Sequence, residues 1–245
     1  EAGRQAFQAG HIPGAVHLDM DRDLSGSPGE GGRHPLPSPA AFSETMSRAG
    51  VGADTLVVAY DDGDGMGSAR LWWLLRHFGH ERVAILDGGL PAWLAGGQPL
   101  ESGPGDHPER QAFATSARAD DFIDADELRR KLDEGKVLVL DARGPERWRG
   151  DMEPVDAQPG RIPGSINAPA GENVAGGRFR SPDELRRYYE SLGVGPTVEV
   201  VLSCGSGVSA CVDLVGLELA GFHRAKLYPG SYSGWLARGF PIQRG

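Results

Sequence analysis

The chain has 245 residues, 39% of them hydrophobic, with 34 acidic against 25 basic side chains and a formal charge of -9. That length holds one large domain or two of ordinary size, with a substantial core. An acidic chain with no Lys/Arg run makes nucleic acid and anionic membrane poor partners, and no apolar run approaches a bilayer span. Two cysteines, Cys204 and Cys211, are too few for a disulfide framework. They point to a reducing compartment, which without a visible secretory signal is the cytoplasm.

In chain order, HIPGAV at 11–16 is followed by a glycine-rich loop, SGSPGEGGRHP at 25–35, long enough to be mobile and to border a site. His77 and His80 stand three apart on a predicted helix, but two imidazoles without a third ligand make no zinc site, and no metal is expected. The segment 101–113, ESGPGDHPERQAF, has the Pro, Gly and charge of a linker. Asp124 with Glu127 predicts a capping box, and VLVLD at 137–141 a strand. A second capping box, Ser181 with Glu184 and Pro182 between them, opens a helix over 182–192.

The two halves repeat. HIPGAV returns as RIPGSI at 161–166, Ser38-Pro39 as Ser181-Pro182, and AILDGGLPAW at 84–93 as KLYPGSYSGW at 226–235. From the second strand onward the offset is 142, as in Trp235 against Trp93 and Gly221 against Gly79. Each copy alternates short β-rich runs with helical patterns, which predicts an α/β fold with a mainly parallel sheet flanked by helices. The domains are placed at 1–112 and 113–245. VLVLDAR precedes RIPG in the second copy, while only EAGRQAFQAG precedes HIPG in the first, so the first copy is expected to lack its opening strand.

The sharpest signal is VVLSCGSGVSA at 200–210, an apolar strand ending in a cysteine among glycine and serine. At the carboxyl end of a parallel strand, a curled loop aims successive N–H groups inward and the next helix adds positive potential. Both favour a thiolate at Cys204. Cys211, among Val208, Val212, Val215 and Leu219, reads as core. A tyrosine phosphatase would need an arginine six residues after its nucleophile, where Ala210 stands, and no histidine carries a cysteine-protease signature. Sulfur transfer through a persulfide needs N–H donors around the sulfur, which the loop offers.

The repeated HIPGAV and RIPGSI, the paired DGGLPAW and PGSYSGW, LDARGPERWRG and CGSGVSA together resemble the tandem-domain sulfurtransferases of the rhodanese family. The resemblance covers nearly the whole chain and implies two rhodanese-like domains, a degenerate first and a catalytic second. The offset agrees, since it sets Asp62 opposite Cys204 in an acidic loop. CGSGV matches the 3-mercaptopyruvate subgroup, whereas thiosulfate sulfurtransferases carry Cys-Arg-Lys-Gly. The implied reaction takes sulfur from 3-mercaptopyruvate onto Cys204 and passes it to a thiol acceptor such as thioredoxin, or to cyanide, with no cofactor. Thiosulfate:cyanide sulfur transfer and a non-catalytic binding module are the alternatives.

The resemblance also assigns residues. Arg147 takes the substrate-arginine position, with a surface ion pair to Glu146 or Asp151 as the competing reading. The family's second substrate arginine follows a Glu-Pro pair, but Glu153-Pro154 is followed here by Val155, and Arg161, in place of the usual histidine before IPG, is the candidate replacement. Ser206 is implied to relay protons with His34 and Asp21. Gly205, Gly207, Val208 and Ser209 complete the substrate-facing loop.

Overall fold

The computed structural model describes every residue except Glu1 and Asp106. It divides into two compact units, one of residues 1–26 and 36–118, the other of residues 27–35 and 119–245.

The first unit runs α1 (Ala2–Ala9), α2 (Pro39–Arg48), β1 (Val57–Ala59), α3 (Met66–His77), β2 (Val83–Ile85) and α4 (Gly89–Ala95). Ser38 caps α2, its side chain accepting the Ala41 N–H while Pro39 fills the first turn, where an N–H would have no partner. β1 and β2 pair in parallel, Val57 against Val83 and Ala59 against Ile85. Phe42 is the centre of the core, stacked on Phe78 at 4.7 Å and edge-on to Phe113 at 5.8 Å. His77 ends α3 and stacks on Trp73, while His80 lies beyond the helix with Nε2 3.0 Å from the Thr55 carbonyl. The predicted helical pair is therefore split, and both rings are used in packing. After β1 the loop closes on itself: the Asp61 carboxylate accepts N–H bonds from Gly63, Gly65 and Ser68 at 2.9–3.1 Å and the Ser68 hydroxyl at 2.8 Å. The N–H groups that would cradle an anion already hold Asp61.

The second unit continues with α5 (Ala125–Asp133), β3 (Leu138–Asp141), α6 (Pro145–Arg149), β4 (Ile166–Asn167), a 3-10 turn (Ala170–Asn173), β5 (Val174–Ala175), β6 (Arg178–Phe179), α7 (Pro182–Ser191), β7 (Val200–Ser203), α8 (Ala210–Leu219), β8 (Lys226–Leu227) and α9 (Ser231–Ala237). Its sheet is parallel, in the order β4-β3-β7-β8, with β5 and β6 a separate antiparallel pair. β7 is buried at all four positions, as expected for an inner strand covered on both faces, which explains its unbroken VVL run. Val139, Val201, Ile123, Leu128, Ile162, Tyr228, Tyr232 and Trp235 form one core cluster, each large apolar side chain contributing roughly 1.5–3 kcal/mol by burial.

The capping box at Ser181 and Glu184 forms as predicted. At Asp124 only half of one forms. Asp124 accepts the Glu127 N–H at 2.8 Å, but Glu127 turns toward Lys131, 3.7 Å away on the next turn, instead of reaching back.

Candidate active site

β7 delivers the chain to Cys204, which is 1% exposed. Three hydrogen bonds stitch the loop to the start of α9: the Cys204 N–H donates to Ser231 Oγ at 3.0 Å, the Tyr232 N–H to the Cys204 carbonyl at 2.9 Å, and the Ser233 N–H to the Gly205 carbonyl at 3.0 Å. With its backbone pinned, the cysteine presents its sulfur to the inside of the loop, where the Gly207 N–H donates to Sγ at 3.1 Å. Gly207 adopts φ +78, and a Cβ there would lie 2.4 Å from the Pro229 carbonyl oxygen, so only glycine brings this N–H to the sulfur. Val208 and Ser209 are half-buried at the entry to α8. Cys211 is fully buried within α8, in the packing role expected of it.

The sulfur has a second neighbour that the motif does not name. Ser231 Oγ lies 3.8 Å from Cys204 Sγ and 3.0 Å from the Tyr228 carbonyl. Ser231 has φ +49 and is the one non-glycine with positive φ among the described residues. At the offset of 142, its counterpart in the first unit is Gly89, φ +55. A left-handed position that glycine fills in one copy carries a hydroxyl in the other, at an expected backbone cost of about 1–3 kcal/mol. That substitution is visible in PGSYSGW against DGGLPAW.

Ser206 is 7% exposed, with Oγ 2.7 Å from His34 Nδ1. His34 belongs to the segment 27–35 that packs within the second unit. Asp21 belongs to the first unit, where its N–H donates to Asp19 Oδ1 at 3.1 Å.

Arginines surround Gly205. A Cβ built there would meet Arg33 Nη2 at 2.8 Å and Arg147 Nη2 and Nη1 at 3.4 and 3.5 Å. Arg147 pairs neither with Glu146 nor with Asp151; its Nε and Nη2 fork Glu153 at 3.1 and 2.7 Å, and Nη2 also reaches Asp156 at 3.2 Å. Asp156 pairs in turn with Arg33. Behind them the buried Arg143 forks Asp141 and reaches Glu153 at 3.4 Å. Burial pushes the Glu153 carboxyl up, but the Arg147 guanidinium and the N–H groups of Asp156 and Val155 hold it below the ordinary glutamate range. For Asp156, burial outweighs Arg33 and Arg147, and the carboxyl sits above the ordinary range. Arg33, Glu153 and Asp156 escape sequence reading because GGRHP and EPVD look like solvated turns. The adjacency of Arg33 to His34 is the signal that could have found it.

Arg161 is elsewhere. Its side chain is buried, stacked on Trp148 at 4.1 Å, and donates to the Gly245 carbonyl at 2.7 Å. The guanidinium is tied to the Gly245 carbonyl and an indole, while its Nε is buried without a hydrogen-bond partner among the described residues. Val155, where that arginine would stand, is 57% exposed.

The Rhodanese-like domain model matches residues 3–96 and 124–238. The "Probable 3-mercaptopyruvate sulfurtransferase" of Pseudomonas aeruginosa is 43% identical over 244 residues, 96% of this chain and 84% of that protein. The "Putative thiosulfate sulfurtransferase SseB" of Mycobacterium tuberculosis is 42% identical over 238 residues, 95% and 82% of the two chains. The crystal structure of SseA from Escherichia coli, a 3-mercaptopyruvate sulfotransferase, superposes with a TM-score of 0.82 at 33% identity, covering 94% of this chain and 86% of that one. With two domain matches across most of its length and a cysteine loop on the carboxyl edge of the second sheet, the chain belongs to the rhodanese family as a tandem pair of rhodanese-like domains.

Proposed function

We propose that the protein is a sulfurtransferase that takes sulfane sulfur from 3-mercaptopyruvate and passes it to a thiol. The Cys204 thiolate attacks the sulfur of the donor and a Cys204 S–S bond forms. The carbon–sulfur bond breaks, its electron pair leaving as the enolate of pyruvate, which is then protonated. An acceptor thiolate next attacks the outer sulfur, and cleavage of the S–S bond returns Cys204 as thiolate. The observation that carries this reading is the donor set at the sulfur, with the Gly207 N–H at 3.1 Å and the Ser231 hydroxyl at 3.8 Å. The Gly207 N–H stabilises the anion on Cys204 Sγ, and the Ser231 hydroxyl can add to it by turning its one proton from the Tyr228 carbonyl to the sulfur.

In this reading Arg147 holds the donor carboxylate, and Ser206 with His34 moves the proton to the enolate, Asp21 supporting the imidazole. Gly205, Gly207, Val208 and Ser209 shape the loop against the donor. The degenerate first domain occupies 1–112 and the catalytic domain 113–245. Thioredoxin is the proposed physiological acceptor and the cytoplasm the proposed compartment, in keeping with Cys204 and Cys211 both being free thiols. No helix among the described residues is long and apolar enough to cross a membrane.

Thiosulfate is the second donor to consider, because it is the substrate in the name of the Mycobacterium tuberculosis relative. The test is mass spectrometry of the protein after exposure to each donor, before and after a thiol is added. One added sulfur on Cys204 that the thiol removes, with Cys204→Ser unmodified, is the expected result. A protein that gains no sulfur from either donor is not this enzyme.

A further inference from the structure

The position where the family's second substrate arginine would stand holds the exposed Val155, and Arg161 is committed to Trp148 and Gly245. Within residues 119–245, Arg147 is the cation that stands beside Gly205; the segment 27–35 brings another. Three contacts fix that segment inside the second unit. Gly32, φ +95, lies so near the start of α9 that a Cβ would meet the Gly230 carbonyl oxygen at 2.7 Å and Ser233 Oγ at 2.8 Å. The Arg33 N–H donates to Ser233 Oγ at 3.1 Å, and His34 Nδ1 is 2.7 Å from Ser206 Oγ. With the backbone so held on both sides, the Arg33 side chain lies over Gly205, next to the nucleophile.

Each guanidinium keeps one edge uncommitted. Arg147 uses Nε and Nη2 on Glu153 and Asp156, and Arg33 uses Nη1 on Asp156. Arg147 Nη1 and Arg33 Nη2 make no hydrogen bond among the described residues, and both lie within 3.5 Å of the Gly205 Cβ position. Asp156, bridging the two, sets their spacing.

Resting on the sulfurtransferase reading, we propose that Arg33 is the second anion-binding residue of this site. The donor carboxylate accepts one N–H from Arg33 Nη2 and one from Arg147 Nη1, and Asp156 is the positioning residue that presents both. An arginine thus reaches the substrate from the segment before α2, without any cation after Glu153-Pro154.

Two measurements on Arg33→Gln and Arg33→Lys test this. In steady state with 3-mercaptopyruvate, Arg33→Gln is expected to raise KM about ten- to a hundredfold, the range of a lost charge-assisted hydrogen bond, with kcat changed much less. Arg33→Lys should recover part of the loss. The second measurement needs no sulfur transfer: the rate at which Cys204 is alkylated by anionic iodoacetate, divided by the rate with neutral iodoacetamide. That ratio should fall about tenfold or more in Arg33→Gln while the iodoacetamide rate holds. An unchanged ratio overturns the proposal. Equal slowing with both reagents also overturns it, since Arg33 would then be holding the loop and not the anion. Because the alkylation ratio stands even in a protein inactive with mercaptopyruvate, failure of the enzymatic reading and failure of the Arg33 assignment are told apart.

Discussion

Ser231 sets the chemistry of this site against its backbone. Its φ of +49 is unfavourable for any residue with a Cβ, and the first copy uses Gly89 at the same point. Ser231→Gly should relieve that strain but loosen the unfolded chain, leaving stability within about 1 kcal/mol of the parent. It removes the hydroxyl that accepts the Cys204 N–H and faces the sulfur, so kcat should fall about tenfold or more. Thermal unfolding beside steady-state kinetics separates the two effects; unchanged turnover would show that the hydroxyl only braces the turn. Arg147 carries a similar double duty. A lysine there supplies charge but cannot fork both Glu153 oxygens, so Arg147→Lys should raise KM for 3-mercaptopyruvate and lower kcat through misplacement of the donor. Wild-type constants in that variant would remove Arg147 from the site.

At the scale of elements, α8 begins at the catalytic loop and buries an acid. Asp213 is fully buried, its Oδ1 accepting Asn173 Nδ2 at 2.6 Å, while Tyr189 donates to Asn173 Oδ1 at 2.6 Å. Burial lifts its carboxyl well above 3.8; the Asn173 bond pulls the other way, and negative charge at Cys204 and Asp141 adds to the rise. The folded chain therefore keeps a proton that the unfolded chain releases above its ordinary value of 3.8. Stability from this group is full below that value and is eroded as pH rises toward the raised one. Asp213→Asn imitates the protonated acid, so its advantage over the parent in urea unfolding should widen from pH 4 to pH 7. A gap that narrows instead would mean the carboxylate is charged in the fold. Asp213→Ala leaves Asn173 Nδ2 with only the Ala170 carbonyl as acceptor and should cost about 1–3 kcal/mol. Gly207 guards the same junction from the other side. Gly207→Ala forces a Cβ to 2.4 Å from Pro229 O, which should move the loop, withdraw the N–H from Cys204 and destroy activity more than stability.

For the whole molecule the question is which donor it prefers. CGSGV is a neutral loop in sequence, and neutrality beside the nucleophile argues for 3-mercaptopyruvate over the thiosulfate dianion. The fold complicates that step, because Arg33 and Arg147 stand over Gly205 although neither belongs to the loop. Both are balanced by Glu153 and Asp156, so the site offers two N–H edges suited to one carboxylate and little excess positive charge. The expected outcome is a higher kcat/KM for 3-mercaptopyruvate, measured for both donors at one pH and salt concentration; equal use of thiosulfate would refute it. An arginine at Gly205 would displace Arg33 Nη2, the end of a flexible side chain 2.8 Å from the Cβ position, so Gly205→Arg should raise KM for 3-mercaptopyruvate and shift preference toward thiosulfate. Sequence by itself determined the repeat, the parallel α/β units, the cap at Ser181 and the nucleophile, because each rests on local periodicity or on residues contiguous in the chain. Cys204 was legible from a strand ending at a glycine loop, and Ser206 with His34 from the resemblance. The tertiary structure decided what distance in sequence hides: Arg33 reaching Gly205 from 172 positions away, Ser231 meeting a sulfur 27 positions before it, and Arg161 turned toward Gly245. Charge and hydroxyl groups act through space over a few ångströms, and only the packing of loops onto α9 brings those atoms to the sulfur.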